Sequence, residues 1–439
     1  MPAAKRDALR AIFNAALHEV APAQAVGRHV SLDGDRLTVG DAAYDLGEYE
    51  RILLLGAGKG AAPMAGAIER LLGDRLAAGM AVVKYGHREP LERVQLLEAD
   101  HPVPDAAGER AAHAILELAE SATERDLVLC VFTGGASALT PAMAPGVTLA
   151  ELQAATRLLL ESGATIHEIN AVRKHVSLFG GGQLARAAHP ATVATLIVSD
   201  VVGDDLDVIA SGPCTPDPST YKDCLDIVVA RKLFDKLPDS VRKRLQAGAE
   251  GALPETPKAD DPIFERVSNL IVASNMQALR AAGDRAADLG YTPRIFTAEL
   301  TGEARDTAAG LADMARRILE DGEDRVCLLA GGETTVTIQG DGLGGRNQEM
   351  ALACAHALDG DERIACLFAG TDGSDGPTDA AGGFATVRTL ERAREAGIDA
   401  LDYLRRNDAY NFLRETDSLL ITGPTLTNVM DLSILLLER

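Results

Sequence analysis

The stretch RILLLGAGKG at residues 51–60 decides the fold class of this chain. It begins as an apolar run of the kind found in buried strands and ends in a glycine-rich turn that carries Lys59, after which a helical pattern follows. The stretch LVLCVFTGGAS at residues 127–137 repeats the arrangement, with Thr133 and Ser137 in the turn. A strand, a polar loop and a helix in this order form the repeating unit of α/β proteins.

The same unit recurs along the 439 residues. Apolar runs at 193–198, 270–273, 326–330 and 364–368 each lead into Gly, Ser, Thr, Asp or Asn. The alternation predicts an α/β fold with a mostly parallel, doubly wound sheet that helices cover on both faces. Because ligands bind beyond the carboxyl ends of such strands, the polar loops are where chemistry is expected.

A proline-rich segment suggests two domains. Residues 237–264 contain four prolines and show little periodicity, as in a linker or an inter-domain excursion. We therefore expect an N-terminal domain at residues 1–258 and a smaller C-terminal domain at residues 259–439.

Composition excludes several classes of protein. With 43 Lys and Arg against 65 Asp and Glu, the formal charge is -22, which disfavours nucleic-acid binding. No apolar run approaches the roughly 18 residues that span a membrane. Leu9, Ile12, Phe13, Ala16, Leu17 and Val20 recur at helical spacing, which predicts an amphipathic helix rather than a signal peptide. The six cysteines form no C-x-x-C pair and are expected to be buried thiols of a cytoplasmic protein.

Two glycine-rich loops are candidate anion sites. Gly56, Gly58 and Lys59 match neither the phosphate loop of NTPases nor a full dinucleotide fingerprint, but a cation within such a turn suits a phosphate or carboxylate. The loop at 133–137 offers hydroxyls and amides for the same purpose. A packing turn for the first loop and a helix N-cap for the second are the simpler interpretations.

Cations also gather at two other places. Arg173 and Lys174 lie beside His175 in a helical pattern, where a solvated helix face is the alternative. Arg346 follows a Gly-rich run and precedes a helical pattern, so its guanidinium is a candidate clamp for phosphate oxygens.

Carboxylates follow two of the predicted strands. Residues 371–379 (TDGSDGPTD) hold Asp372, Asp375 and Asp379, and Asp200 follows the strand at 193–198. Such oxygens suit Mg²⁺, which prefers one or two carboxylates together with substrate phosphates. A cluster of Asp-Gly turns and a strand-end cap are the alternatives. Cations, glycine loops and carboxylates together favour phosphoryl transfer, whereas hydrolase chemistry has no G-x-S-x-G motif to support it.

These motifs resemble the class II glycerate kinases, or MOFRL family, over nearly the whole chain. The stretches that carry the resemblance are GAGK (56–59), HPVPD (101–105), TGGAS (133–137), VRKH (172–175), SDVVGD (199–204), ASGP (210–213), GGETT (331–335), GGRNQE (344–349), GTDGSDGPTD (370–379) and TGPTLTNV (422–429). The chain departs from the family at Gly180 and Gln183, where basic residues are common.

The resemblance implies two α/β domains, a Rossmann-like N-terminal one and a MOFRL-type C-terminal one, with the site in the cleft between them. It implies phosphorylation of D-glycerate by ATP at the 2-hydroxyl, with Mg²⁺. Lys59, Arg346, Asp200 and Asp372 carry over as catalytic residues, and Asp200, Asp372 and Asp375 as metal ligands. Substrate or phosphate binding carries over to Gly56, Gly58, Thr133, Gly134, Gly135, Ser137, Arg173, Lys174, Glu333 and Asn347. The expected partners are small molecules, without nucleic acid or membrane, and a homodimer is left open.

Two alternatives remain. Members of the family are also named hydroxypyruvate reductases, which would use a nicotinamide cofactor. A sensor of phosphorylated sugars would need the anion loops but not the aspartates at 372–379.

Overall fold

The computed structural model describes residues 2–439, which form two compact units. The N-terminal unit comprises Pro22–Ser199 and Asp204–Val272. The C-terminal unit comprises the first helix and the residues up to Ala21, the short segment Asp200–Gly203, and Ala273–Arg439. These units divide at 272/273, because the strand at 267–273 joins the sheet of the N-terminal unit. The domains expected at 1–258 and 259–439 stay a prediction.

The first helix is the predicted amphipathic one. Helix α1 spans Pro2–Glu19 and packs against elements of the C-terminal unit. Ile12 and Phe13 are fully buried, and Leu17 is partly buried. Lys5 donates to the carbonyl of Glu362 at 2.8 Å and pairs with Glu438, which fixes α1 to the end of the chain.

The N-terminal unit contains nine helices and nine strands among its described residues. Its helices are α2 (Pro22–His29), α3 (Ala61–Leu72), α4 (Ala106–Glu120), α5 (Ala136–Leu139), α6 (Leu149–Glu161), α7 (Ile166–His175), α8 (Gln183–Ala188), α9 (Tyr221–Ala230) and α10 (Asp239–Ala249). Its strands are β1 (Val30–Asp33), β2 (Arg36–Val39), β3 (Ala42–Asp45), β4 (Arg51–Ala57), β5 (Leu76–Lys84), β6 (Val94–Ala99), β7 (Asp126–Phe132), β8 (Thr192–Val198) and β9 (Val267–Ala273).

The main sheet of this unit has the order β6-β5-β4-β7-β8-β9. Strands β4 to β8 pair in parallel, as the apolar runs predicted. The order reverses between β4 and β7, as it does between the halves of a doubly wound sheet, and ligands bind at such a switch point. A separate antiparallel sheet of β1, β2 and β3 was not predicted.

Two buried clusters support the N-terminal unit. Leu55 of β4 and Cys130 of β7 pack with Ile115 of α4 under the sheet. Helices α6, α7, α9 and α10 form a second core around Val172 and Tyr221. The proline-rich segment 237–264 is part of this packing rather than a linker, since it contains α10.

The C-terminal unit adds six further helices and a second six-stranded sheet. These helices are α11 (Asn275–Asp288), α12 (Ala304–Glu320), α13 (Arg346–Leu358), α14 (Val387–Ala396), α15 (Ala400–Arg405) and α16 (Ala409–Glu415). The strands are β10 (Thr292–Leu300), β11 (Val326–Gly332), β12 (Ile364–Gly370), β13 (Gly382–Ala385), β14 (Leu419–Leu420) and β15 (Asp431–Leu437).

The sheet of the C-terminal unit corrects the expectation of parallel pairing. Its order is β10-β11-β15-β12-β13-β14, and β15 runs antiparallel between β11 and β12. In this sheet β10 and β11 form a parallel pair, whereas β12, β13 and β14 pair in antiparallel fashion. The alternation of strands and helices could not reveal that the last strand of the chain returns into the middle of the sheet.

The remaining general predictions concern the cysteines and the membrane. All six cysteines are buried and free, as expected. Among residues 2–439, the helices are too short or too polar to cross a bilayer.

Candidate active site

Lys59 lies at the switch point of the N-terminal sheet. The Lys59 amide donates to the carbonyl of Gly134 at 3.0 Å, and the Gly60 amide donates to Thr133 Oγ1 at 2.9 Å. The loops that follow β4 and β7 are thus hydrogen-bonded to each other. The structure therefore brings together Lys59, Thr133 and Gly134, which the sequence predicted separately.

Gly58 makes this contact between the loops possible. Its φ of 131° is a conformation that residues with a side chain rarely adopt, and a Cβ atom there would lie 2.2 Å from Thr133 Oγ1. Gly56 has a different reason to be glycine, because its Cβ would lie 2.6 Å from the side chain of Val131 inside the sheet. The predicted role of Gly56 in ligand binding stays a prediction.

His101 is a residue of this region whose role the sequence did not reveal. Its ring lies against Gly135, where a Cβ would approach His101 Cδ2 to 2.9 Å. Burial, followed by the charges of Lys59 and Lys84, lowers the pKa of His101 to about 4. The imidazole is therefore neutral at pH 7 beside the predicted catalytic lysine. Its position two residues after β6 was the available signal.

The paired residues Arg173 and Lys174 have different surroundings at the end of α7. Lys174 Nζ lies 2.8 Å from Asp207 and 3.4 Å from Asp217, and its side chain is 2% exposed. These contacts give Lys174 a structural role, and its binding of ligand remains a prediction. Both residues line a cavity that Ser137 and Ser211 share.

In the C-terminal unit, Arg346 is held by two carboxylates. Its Nη2 donates to Asp431 Oδ1 at 3.0 Å, its Nε donates to the other oxygen of Asp431, and its Nη1 pairs with Glu333 at 2.7 Å. Burial acts to lower the pKa of Arg346, but the hydrogen bond and charge of Asp431 outweigh it and raise the pKa. Arg346 is thus a permanent, oriented cation that is still partly exposed.

Asp431 is the second residue that the sequence analysis missed. It begins β15 and lies opposite Gly332 and Gly370, the last residues of β11 and β12. Because β15 is antiparallel to both neighbours, its amino end lies at the edge where theirs are carboxyl ends. A search of the residues that follow predicted strands could not find it.

Asp375 stabilises the start of α13. Its Oδ2 accepts from the Gln348 amide at 2.8 Å, and its Oδ1 accepts from the amide and side chain of Asn347 at 3.2 and 3.3 Å. Burial first, and then the charge of Asp431, raise the pKa of Asp375 to about 6, against the backbone hydrogen bonds. These contacts favour a helix-capping role, and its metal binding stays a prediction.

Asp200 and Asp372 both lie next to the loop before β15. Asn428 Nδ2 donates to Asp200 Oδ2 at 3.5 Å, and the Thr425 amide donates to the carbonyl of Asp372 at 3.3 Å. Both aspartates are partly exposed. The short segment that carries Asp200 belongs to the C-terminal unit, although it directly follows β8.

The chemistry of these two side chains is compatible with a cation that a second ligand also coordinates. No group of three or more His, Cys, Asp or Glu side chains within residues 2–439 has the arrangement of a self-sufficient metal site. Mg²⁺ does not require one, because it is commonly held by one or two carboxylates together with substrate phosphates and water. Asp200 and Asp372 provide oxygen donors of this kind.

The fold and these two sets of residues define an α/β protein with a cation in or directly after a strand-end loop of each unit and carboxylates beside the cation of the C-terminal unit. A model of a domain of unknown function, DUF4147, matches residues 8–246, and a model of the MOFRL family matches residues 326–431.

Relatives with names identify the family. A glycerate 2-kinase of Pyrococcus horikoshii is 40% identical over 94% of this chain and 93% of its own. A crystal structure of glycerate kinase from Thermotoga maritima matches 99% of this chain and 100% of its own with a TM-score of 0.87 at 38% identity. A putative hydroxypyruvate reductase of Agrobacterium vitis is 42% identical over 88% of this chain and 99% of its own. The chain belongs to the family of the glycerate 2-kinases.

Proposed function

We propose that this protein transfers the γ-phosphoryl group of ATP to the 2-hydroxyl of D-glycerate, giving 2-phosphoglycerate and ADP. The observation that carries the proposal is the 40% identity over nearly the whole chain to a protein named glycerate 2-kinase. The predicted motifs are also present as loops at the sheet edges of both units, which supports the same activity.

In this proposal Lys59 and Arg346 bind the transferred phosphoryl group. Its negative charge spreads over three oxygens in the transition state, so fixed cations stabilise it most effectively when they are oriented beforehand. Lys59 belongs to a loop that hydrogen bonds hold to the neighbouring loop, and Arg346 is oriented by Asp431 and Glu333. Both cations are therefore prepared for an anionic ligand.

The reaction breaks the bond between the γ-phosphorus and its bridging oxygen and forms one to the 2-oxygen of glycerate. The proton of the hydroxyl passes to a carboxylate within hydrogen-bond reach, and Asp200 and Asp372 are the candidates for that base. The same two residues would hold Mg²⁺, which supplies positive charge to the phosphate oxygens when bound.

The direct test is an assay of the purified protein with D-glycerate, ATP and Mg²⁺. We expect ADP release that depends on D-glycerate, and a ³¹P NMR spectrum that identifies 2-phosphoglycerate rather than the 3-isomer. A K59M variant should lose the activity, while substitution of the exposed Arg157 on α6 should not. Absence of ADP release under these conditions would refute the proposal.

Reduction of hydroxypyruvate is the second candidate, because two relatives carry that name and because the strand order around β4 is that of dinucleotide-binding sheets. NAD sites usually have an acidic residue at the end of the second strand for the ribose hydroxyls. Here that strand, β5, ends at Lys84. Oxidation of NADH or NADPH by hydroxypyruvate, without ADP release from ATP and D-glycerate, would favour the reductase.

A further inference from the structure

The N-terminal unit contains a polar cavity at the carboxyl end of α7. The empty space within it, counted together with the part that is open to solvent, is about 350 Å³. Its polar lining includes Ser137, Arg173, Ser177 and Ser211. The second basic residue of the lining, Lys174, is paired with Asp207 and Asp217.

Arg173 lines the cavity without a partner for its charge. Among residues 2–439, no hydrogen bond or ion pair engages its guanidinium, although the neighbouring Lys174 is paired with two carboxylates. Burial is the cause that lowers the pKa of Arg173, and no nearby carboxylate counteracts it. A partly buried cation without a counter-ion is costly, so a ligand with a negative charge is its natural partner.

The neighbours of Arg173 on α7 are held by contacts of their own. Lys174 is buried between Asp207 and Asp217, and His175 Nε2 lies 3.0 Å from Glu255. Helix α7 is also held at its start, where Thr165 and Glu168 form a capping box. The guanidinium therefore projects from a helix that is anchored at both ends.

A strained turn forms part of the cavity wall. Ala210 and Ser211 have φ angles of 55° and 61°, which residues other than glycine rarely adopt. The turn is held by the Gly181 amide, which donates to the Ser211 carbonyl at 2.8 Å. It brings the Ser211 hydroxyl 2.8 Å from that of Ser137. Residues in such conformations cluster at functional sites.

We propose that Arg173 binds the carboxylate of the substrate in this cavity. The hydroxyls of Ser137, Ser177 and Ser211 bond the remaining oxygens of the substrate. The proposal rests on the proposed function, since it assigns the three-carbon acid of that reaction to a particular place. A carboxylate matches the planar fork of a guanidinium with two parallel hydrogen bonds. A triphosphate would bring several negative charges to a cavity with a single unpaired cation, and is therefore the poorer match.

The test compares R173A and R173K with the R157A control. Steady-state assays should show a KM for D-glycerate raised about 10–100-fold in R173A, the loss expected for charged hydrogen bonds. The KM for ATP should change less than about twofold, and R173K should be intermediate, because an ammonium keeps the charge but not the fork. A raised KM for ATP with an unchanged KM for D-glycerate would overturn the assignment and place a phosphate at Arg173.

Two further measurements separate a binding role from a structural one. Removal of an unpaired buried charge should leave the thermal midpoint of R173A equal to that of the wild type or higher, whereas loss of a structural contact would lower it. Calorimetry without nucleotide should show binding of D-glycerate to the wild type and R157A but not to R173A.

The same experiments distinguish failure of this inference from failure of the proposed function. If the wild type releases no ADP but binds D-glycerate through Arg173, the kinase activity is refuted and the carboxylate site stands. If ADP is released and R173A binds D-glycerate as the wild type does, the carboxylate site is refuted and the kinase activity stands.

Discussion

Arg346 and Asp431 form a two-point ion pair, with Nε and Nη2 of the guanidinium donating to the two carboxylate oxygens. Asp431 is 6% exposed, so the pair is largely shielded from water. The carboxylate fixes the plane of the guanidinium and leaves Nη1 for Glu333. Asp431 is thus a positioning residue for the predicted catalytic arginine.

The D431N variant tests this role. The amide keeps the shape of the side chain but removes the charge, so Arg346 should lose its fixed orientation. Because small misplacements at an active site cost up to about 100-fold in rate, we expect kcat to fall by about 10–100-fold. The measurement is steady-state kinetics of ADP release for D431N, R346K and the double variant.

If the two residues act as a unit, the double variant should lose little more activity than either single variant. The control is D361N, which breaks the pair of Asp361 with Arg363 at the opposite end of β12 and should leave kcat unchanged. Independent, multiplying losses in D431N and R346K would contradict a positioning role.

The contrast between Arg346 and Asp431 shows what a single sequence can predict. The loops that carry Lys59, Thr133 and Asp372 were found because each follows an apolar run, and β4, β7 and β12 begin within a residue of the predicted positions. Asp431 precedes its strand, and its place in the site depends on the long-range antiparallel insertion of β15. Local patterns carry no information on which strands become neighbours.

The cavity at Arg173 shows a second limit. The sequence grouped Arg173 with Lys174 as cations, but it could not show that Asp207 and Asp217 neutralise only one of them. Those aspartates lie more than 30 positions away in the chain. Pairing of this kind depends on the packing of α7 and is not visible in the charge pattern.

Gly58→Ala should destabilise the N-terminal unit. The new Cβ would meet Thr133 Oγ1 at 2.2 Å and the Thr133 carbonyl oxygen at 2.6 Å, in a backbone conformation that disfavours any side chain. Strain and overpacking together should lower the free energy of unfolding by about 2–5 kcal/mol. Urea denaturation measures the change.

The matched variant for this comparison is Gly34→Ala in the turn between β1 and β2. Gly34 also has a positive φ, of 58°, but a Cβ there has no heavy atom within 4 Å. It should cost only the conformational strain, about 1–2 kcal/mol. Equal losses in the two variants would show that contact with Thr133 does not explain why residue 58 is glycine.

His101 should make stability depend on pH. Its pKa is lowered to about 4 in the folded protein, below the ordinary value of about 6.5, so between these values the unfolded chain binds more protons. The stability of the folded protein that depends on a neutral His101 is therefore fully present above pH 6.5 and is lost as the pH falls through 4. The groups that face it are Lys59, Lys84, His87 and Asp100.

In H101Q this dependence should be absent. After allowance for partial exposure, the unfolding free energy of the wild type, taken relative to that of H101Q, should fall by about 1–2 kcal/mol when the pH is lowered from 7 to 4. Urea titrations at several pH values measure it, with H113Q on the exposed face of α4 as the control. A constant difference between wild type and H101Q across this range would show that His101 is not kept neutral by its surroundings.

The variants D200N and D372N should separate metal binding from proton transfer. The Asp200 carboxylate accepts from Asn428, and the backbone carbonyl of Asp372 accepts from the Thr425 amide, so both residues adjoin the loop before β15 and are candidates for either role. Loss of a metal ligand should raise the Mg²⁺ concentration for half-maximal activity by about 10-fold or more, and should weaken binding of Mn²⁺ measured by electron paramagnetic resonance with ATP present. Loss of the base should lower kcat and leave both Mg²⁺ and Mn²⁺ affinities intact.

The control is D379N, since Asp379 is exposed and bonds to Tyr410 in the same stretch of chain. Wild-type kcat and metal affinity in both D200N and D372N would remove these aspartates from the mechanism and leave the phosphoryl transfer without its proposed acidic residues.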